Sequence, residues 1–173
     1  TGKEMRVKSG IETLCLGAII DEASFEPCGY SMNALLGDAY FTIHITPEET
    51  SSYVSFETNA SLEALGCVET GSLEPIIARV LGVFKPKRVI VATFGSDDAF
   101  DCFKSLPGDK PSVYITELTN DSGSVTLEYK RTTKASTLVG NDLRCSMGRF
   151  MLSDVKEIDP SSGHLKARQD KAT

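Results

Sequence analysis

The stretch "FEPCGYSMNALLGDAYFTIHIT" (25–46) limits this chain more than any other. Residues 25–36 and 39–46 read as two extended runs, and the dipeptide between them, Gly37-Asp38, suits a two-residue hairpin turn. Such a turn leaves one register, in which Leu36 faces Ala39, Leu35 faces Tyr40, Asn33 faces Thr42 and Ser31 faces His44. Side chains alternate along a strand, so Ser31, Asn33, Thr42, His44 and Thr46 share one face. The other face pairs Tyr30 with Ile45, Met32 with Ile43 and Ala34 with Phe41, which reads as core. Directly opposed Cβ atoms lie about 4.5–5.5 Å apart, within reach of a hydroxyl–imidazole contact. A slip of one residue would destroy this pairing.

The rest of the chain extends this pattern. "SGIETL" (9–14) reads as a short helical turn with a serine cap. "SYVSFETN" (52–59) alternates as a third strand. "LEPIIARVLGVFKP" (73–86) places Ile76, Ile77, Val80, Leu81 and Phe84 on one helical stripe and stops at Pro86. "RVIVATFG" (88–95) reads as a buried strand and "DDAFDCFKSL" (97–106) as a second short helix. "SVYITELT" and "SVTLEYKRT" flank the turn "NDSG", and "GRFMLSD" is a last strand. Strands outnumber helices and arrive as hairpins, so the fold class is α+β, an antiparallel sheet covered by helices. One domain is expected over 1–157, with a flexible tail over 158–173 in which His164 is exposed and inert.

Composition narrows the partners. The 173 residues suffice for a core, and a formal net charge of -6 argues against nucleic acid or an anionic membrane surface. The longest apolar run, "LCLGAII", is far too short to cross a bilayer. Five cysteines without a CxxC pair fit free thiols in a reducing compartment better than disulfides or a metal site. With no signal peptide in view, the expected location is cytoplasmic. No GxSxG elbow accompanies Ser31, so a hydrolase triad is not supported. On the pattern alone, the serine and histidine could be packing neighbours or a catalytic pair.

Three motifs, "PCGYSMN", "TIHITPE" and "SYVSFETN", in this order and close spacing, resemble the eukaryotic pyruvoyl-dependent S-adenosylmethionine decarboxylases. The specific match covers residues 25–59; "SGIETLCLGAIID" resembles the family's lead-in, and the helix after 73 fits as well. The resemblance implies a four-layer αββα sandwich, of which this chain would supply about one half. It implies decarboxylation of S-adenosylmethionine to the aminopropyl donor for spermidine and spermine. The cofactor would be a pyruvoyl group, made by self-cleavage at a Glu-Ser bond, that forms a Schiff base with the substrate amine.

The resemblance also assigns roles. Ser31 and His44 correspond to the self-processing pair, with the histidine as base. Phe25 corresponds to the aromatic that stacks on adenine, and Glu48 to the carboxylate that accepts from the ribose hydroxyls. Glu57 corresponds to an acid near the site where putrescine activates some members. Cys28 reads as a small buried residue and not as the family's proton donor. No Glu-Ser dipeptide occurs in the sequence, so the chain is expected to be the C-terminal portion, inactive alone. It should expose an apolar sheet face and associate, with the N-terminal half or β chain, or as a homodimer. The alternative is a non-catalytic paralogue that regulates an active decarboxylase by pairing with it.

Overall fold

A computed structural model of the protein describes residues 1–96, 99–100, 111–118, 124–139, 142–158 and 165–167. The chain divides into two compact units. One comprises Thr1–Thr70 with Pro75–Phe84, the other Gly71–Glu74 with Lys85–Thr173. Each is built around its own antiparallel sheet, so two sheets stand where one was expected, and the α+β class holds.

The first unit opens with helix α1 (Gly2–Ser9), capped by Thr1 in a capping box with Glu4 and ended by Gly10 in the left-handed conformation. A single 3₁₀ turn, Ile11–Leu14, follows. The serine expected to cap a longer turn instead ends α1, and its Oγ accepts from the Ile11 N–H at 3.4 Å. Four strands then form a meander: β1 (Ile19–Ser24), β2 (Tyr30–Leu36), β3 (Ala39–Thr46) and β4 (Tyr53–Thr58), in the order β1-β2-β3-β4. The β2–β3 register is the one the turn dictates: Leu36 against Ala39, Asn33 against Thr42 and Ser31 against His44.

Residues 25–29 are not part of β2. They form a loop that begins at Phe25 and contains a cis Glu26–Pro27 peptide. The Phe25 N–H closes it onto the Gly29 carbonyl at 3.1 Å. Gly29, at φ 135, sits where a side chain would be strained.

The covered face of the sheet holds Tyr30, Met32, Ala34, Phe41 and Ile43, all buried. Core burial of this kind contributes about 1.5–3 kcal/mol per large side chain. Helix α2 (Glu74–Phe84) buries Ile76 and Leu81. It ends at Lys85, which has a positive φ, just before Pro86. The opposite sheet face is open. Ile19 (81 % exposed), Leu35, Tyr40 and Tyr53 all lie on it and are exposed among the described residues.

The second unit has β5 (Arg88–Ser96), β6 (Ser112–Leu118), β7 (Ser124–Val139) and β8 (Leu143–Ile158) in the order β5-β8-β7-β6. A short strand β9 (Leu165–Ala167) pairs with the end of β8. β5 is not buried as expected. It is an edge strand with one covered face, so Ile90 and Phe94 are exposed while Val89 and Val91 are half-buried. β7 and β8 run 16 residues each, and β8 extends well beyond "GRFMLSD". The β6–β7 hairpin has the expected strands. Its turn "NDSG", most of the helix expected over 97–106, and His164 with most of the tail lie outside the described residues.

Gly37 has φ 58, and a Cβ there would meet nothing within 4 Å. Gly37→Ala therefore tests the turn's backbone alone. It should lower the urea-unfolding stability of the protein by about 1 kcal/mol. Gly37→Asn should cost less, because Asn tolerates positive φ.

Candidate active site

The register delivers a hydroxyl and an imidazole to neighbouring strands on the open face. The Ser31 Oγ lies 2.9 Å from the His44 Nδ1. That is a full hydrogen bond, made on an exposed surface. Either tautomer serves it. A neutral Nδ1 accepts from the hydroxyl, and a protonated Nδ1 donates to it. The Nε2 has no protein partner among the described residues. Ser55 stands opposite His44 on β4, and Ala23 opposite Ser31 on β1, so this row of the sheet is uncrowded by large side chains.

A cleft of about 280 Å³ opens over the pair, lined by Phe25, Cys28, Ser31, His44 and Thr46 with neighbouring backbone. Phe25 is 54 % exposed and offers its ring from the loop before β2. Gly29 lies against it: a Cβ there would be 3.5 Å from the Phe25 Cβ and 3.6 Å from the Ile45 carbonyl. The loop's tight closure thus brings Phe25 and Ser31, six positions apart in the chain, to one cleft. Cys28 is exposed, not buried as expected, and its thiol approaches the Pro47 carbonyl at 3.6 Å. Among the described residues, the wall of the cleft holds no lysine and no carboxylate.

The two glutamates stand apart from the cleft. Glu48 lies in the exposed turn after β3. Its N–H donates to the Ser52 Oγ at 3.1 Å, and that hydroxyl donates back to the Glu48 carbonyl at 3.0 Å. Glu57 is exposed on β4, opposite Thr42 on the open face, two pairs along from the His44–Ser55 pair. Neither lines the cleft.

Beneath the site, on the covered face, is a polar cluster that the sequence did not reveal. The Tyr30 hydroxyl donates to the Glu22 Oε2 at 2.7 Å. The Arg6 Nε donates to both Glu22 oxygens at 3.2 and 3.1 Å. Burial, reinforced by the hydrogen bond to Glu22, pushes the Tyr30 phenol far above its usual range. Burial also raises the nearby Cys15 thiol. The only sequence signal was a charged residue at a core-facing position of β1, legible once β1 itself is placed.

The family model described as adenosylmethionine decarboxylase matches residues 1–142. The chain belongs to that family. Among curated relatives, the S-adenosylmethionine decarboxylase proenzyme of Dictyostelium discoideum is 48% identical over 93 residues, 54% of this chain and 22% of that protein. The Xenopus laevis proenzyme is 40% identical over 114 residues, 62% of this chain and 32% of its own length. The matched part therefore spans less than a third of either relative. The crystal structure of a Trypanosoma brucei AdoMetDC-delta26 monomer superposes with a TM-score of 0.66 at 26% identity, over 87% of this chain and 53% of that one.

The neutral Tyr30 phenol has a consequence for stability against pH. Above the ordinary tyrosine value of 10.0, the unfolded chain ionises Tyr30 while the folded chain keeps it neutral. Unfolding then releases a proton, so this group's contribution, complete below that value, declines as pH rises beyond it. Urea midpoints measured between about pH 9 and pH 11 should fall more steeply for the wild type than for Tyr30→Phe.

Proposed function

We propose that this chain forms the C-terminal portion of a pyruvoyl-dependent S-adenosylmethionine decarboxylase, and that Ser31 and His44 carry out the proton transfers of its self-processing. The observation that carries this reading is the 2.9 Å Oγ–Nδ1 contact, set on facing strands at the mouth of an aromatic-lined cleft. An imidazole changes charge near neutral pH and suits a proton relay to a hydroxyl or a backbone ester.

A pyruvoyl group, when present, supplies an electrophilic ketone that draws electrons from the substrate as carbon dioxide leaves. The cleft fits such a group: it offers a hydroxyl and an imidazole as hydrogen-bond partners and, among the described residues, no amine that would compete for the ketone. In this reading Phe25 presents its face to the adenine of S-adenosylmethionine, where offset stacking is worth about 0.5–1.5 kcal/mol beyond area burial. Glu48 accepts hydrogen bonds from the ribose hydroxyls. Glu57 belongs to a putrescine site completed by acids from the other half, because a buried dication needs carboxylates to offset its desolvation. That other half, supplying the Glu-Ser bond, would cover the open face bearing Ile19, Leu35, Tyr40 and Tyr53. The product would be the aminopropyl donor for spermidine and spermine, made in the cytoplasm.

In the complete proenzyme carrying this chain, His44→Ala should slow self-cleavage by about 10²–10⁴-fold, the usual worth of a positioned base. Cleavage can be followed by gel or mass. An unchanged rate would remove His44 from processing. Glu48→Gln should raise KM for S-adenosylmethionine about tenfold or more, the loss of one charge-assisted hydrogen bond, with kcat little changed. An unaltered KM would place the ribose elsewhere.

A further inference from the structure

We propose that Glu22 is a positioning residue for the Ser31–His44 pair: it acts through Tyr30 across β2, and Arg6 of α1 holds its carboxylate in place. The inference rests on the processing role proposed for that pair.

Glu22 is opposite Met32 on β1, and Ser24 is opposite Tyr30, so Glu22 sits diagonal to Tyr30 on the covered face. A charge there is retained only if paired. Arg6 pairs it through the two contacts from its Nε, and only 16 % of the Arg6 and 12 % of the Glu22 side chain is exposed. Arg6 also approaches Glu12 at 3.7 Å, which fixes the guanidinium from a second side. Gly2 permits the approach of α1, since a Cβ there would come 3.2 Å from the Glu22 Cγ.

A buried ion pair is a poor device for stability, because apolar residues of similar volume commonly do as well or better. What it gives is direction. The bond from the Tyr30 hydroxyl to Glu22 fixes the rotation of β2 about its own axis at its first residue. Successive side chains leave a strand on opposite faces, so the setting of Tyr30 sets Ser31. It acts at the first residue of β2, where the strand emerges from the Phe25–Gly29 loop and takes up its pairing with Ser24 of β1 and Ile45 of β3. A misplacement of about 1 Å at reacting groups can cost about a hundredfold in rate. The cluster is thus poised to act on the site without touching it.

The test uses the complete proenzyme carrying this chain, in wild-type form and as Glu22→Gln, Tyr30→Phe and the double variant. Leu81→Ala, in α2 and outside the site, is the control of matched or greater stability loss. Glu22→Gln and Tyr30→Phe should each slow self-cleavage by about tenfold or more, and the double variant should be no slower than the slower single one. Leu81→Ala should cleave at the wild-type rate while melting lower. A second readout needs no processing: the ¹⁵N resonance of the His44 Nδ1, assigned by its loss in His44→Ala, should move in Glu22→Gln and Tyr30→Phe but stay in Leu81→Ala. Rates within about twofold of wild type and an unmoved Nδ1 signal would overturn the inference. So would slowing that tracks melting temperature in all variants, Leu81→Ala included. If wild type itself failed to cleave, the processing reading would fall, and the Nδ1 resonance would still decide whether Glu22 sets the pair.

Discussion

The two-residue turn at Gly37-Asp38 is the constraint on which the site depends. A positive φ at Gly37 closes the hairpin without a spare residue, and that fixes which residue of β2 faces which residue of β3. Both faces follow together. Met32 and Ile43 meet in the core because Ser31 and His44 meet on the other side. A shift of one residue would turn one strand over against the other, burying its serine or histidine and exposing its core side chains, so the penalty for losing the core protects the register that pairs Ser31 with His44. Chemistry that contributes little to stability is held by packing that contributes much.

The sheet separates these duties. Its covered face carries the core and one buried polar cluster, Arg6–Glu22–Tyr30. Its open face carries the Ser31–His44 pair together with exposed Ile19, Leu35, Tyr40 and Tyr53. An exposed apolar face of this kind calls for a partner. The matched region spans under a third of the curated relatives' length. In the proposed reading, a partner half seated on this face would cover apolar surface and reach the Ser31–His44 pair at once.

The parts legible in the sequence are those where a period of two coincided with a sharp turn signal. The β2–β3 register, the core pairs and the Ser31–His44 contact needed nothing else. Helix α2 was legible from its apolar stripe. Helix α1 was not, because Met5 and Val7 are exposed and its docking rests on Gly2 and Arg6, which give no apolar pattern. β1 was hidden for a related reason: its core-facing positions are Ile20, Glu22 and Ser24, so two of the three are polar. β5 misled in the opposite direction. Its run of Val, Ile and Ala looks buried on both sides, yet as an edge strand it covers only one. Phe25 was placed at the cleft by resemblance, and the Gly29 loop supplies the physical cause. Glu48 and Glu57 came from resemblance alone and lie outside the cleft that this chain forms.

The most direct test of the account is the intact mass and N-terminal analysis of the protein as its native source makes it, combined with cyanoborohydride reduction in the presence of S-adenosylmethionine. The account predicts that the chain carrying Ser31 and His44 extends upstream to an N-terminus blocked by pyruvate, and that reduction traps the substrate on it as a covalent adduct. A free Thr1, the mass of these 173 residues alone, no partner and no adduct would contradict it and leave a relative that pairs with or regulates an active decarboxylase.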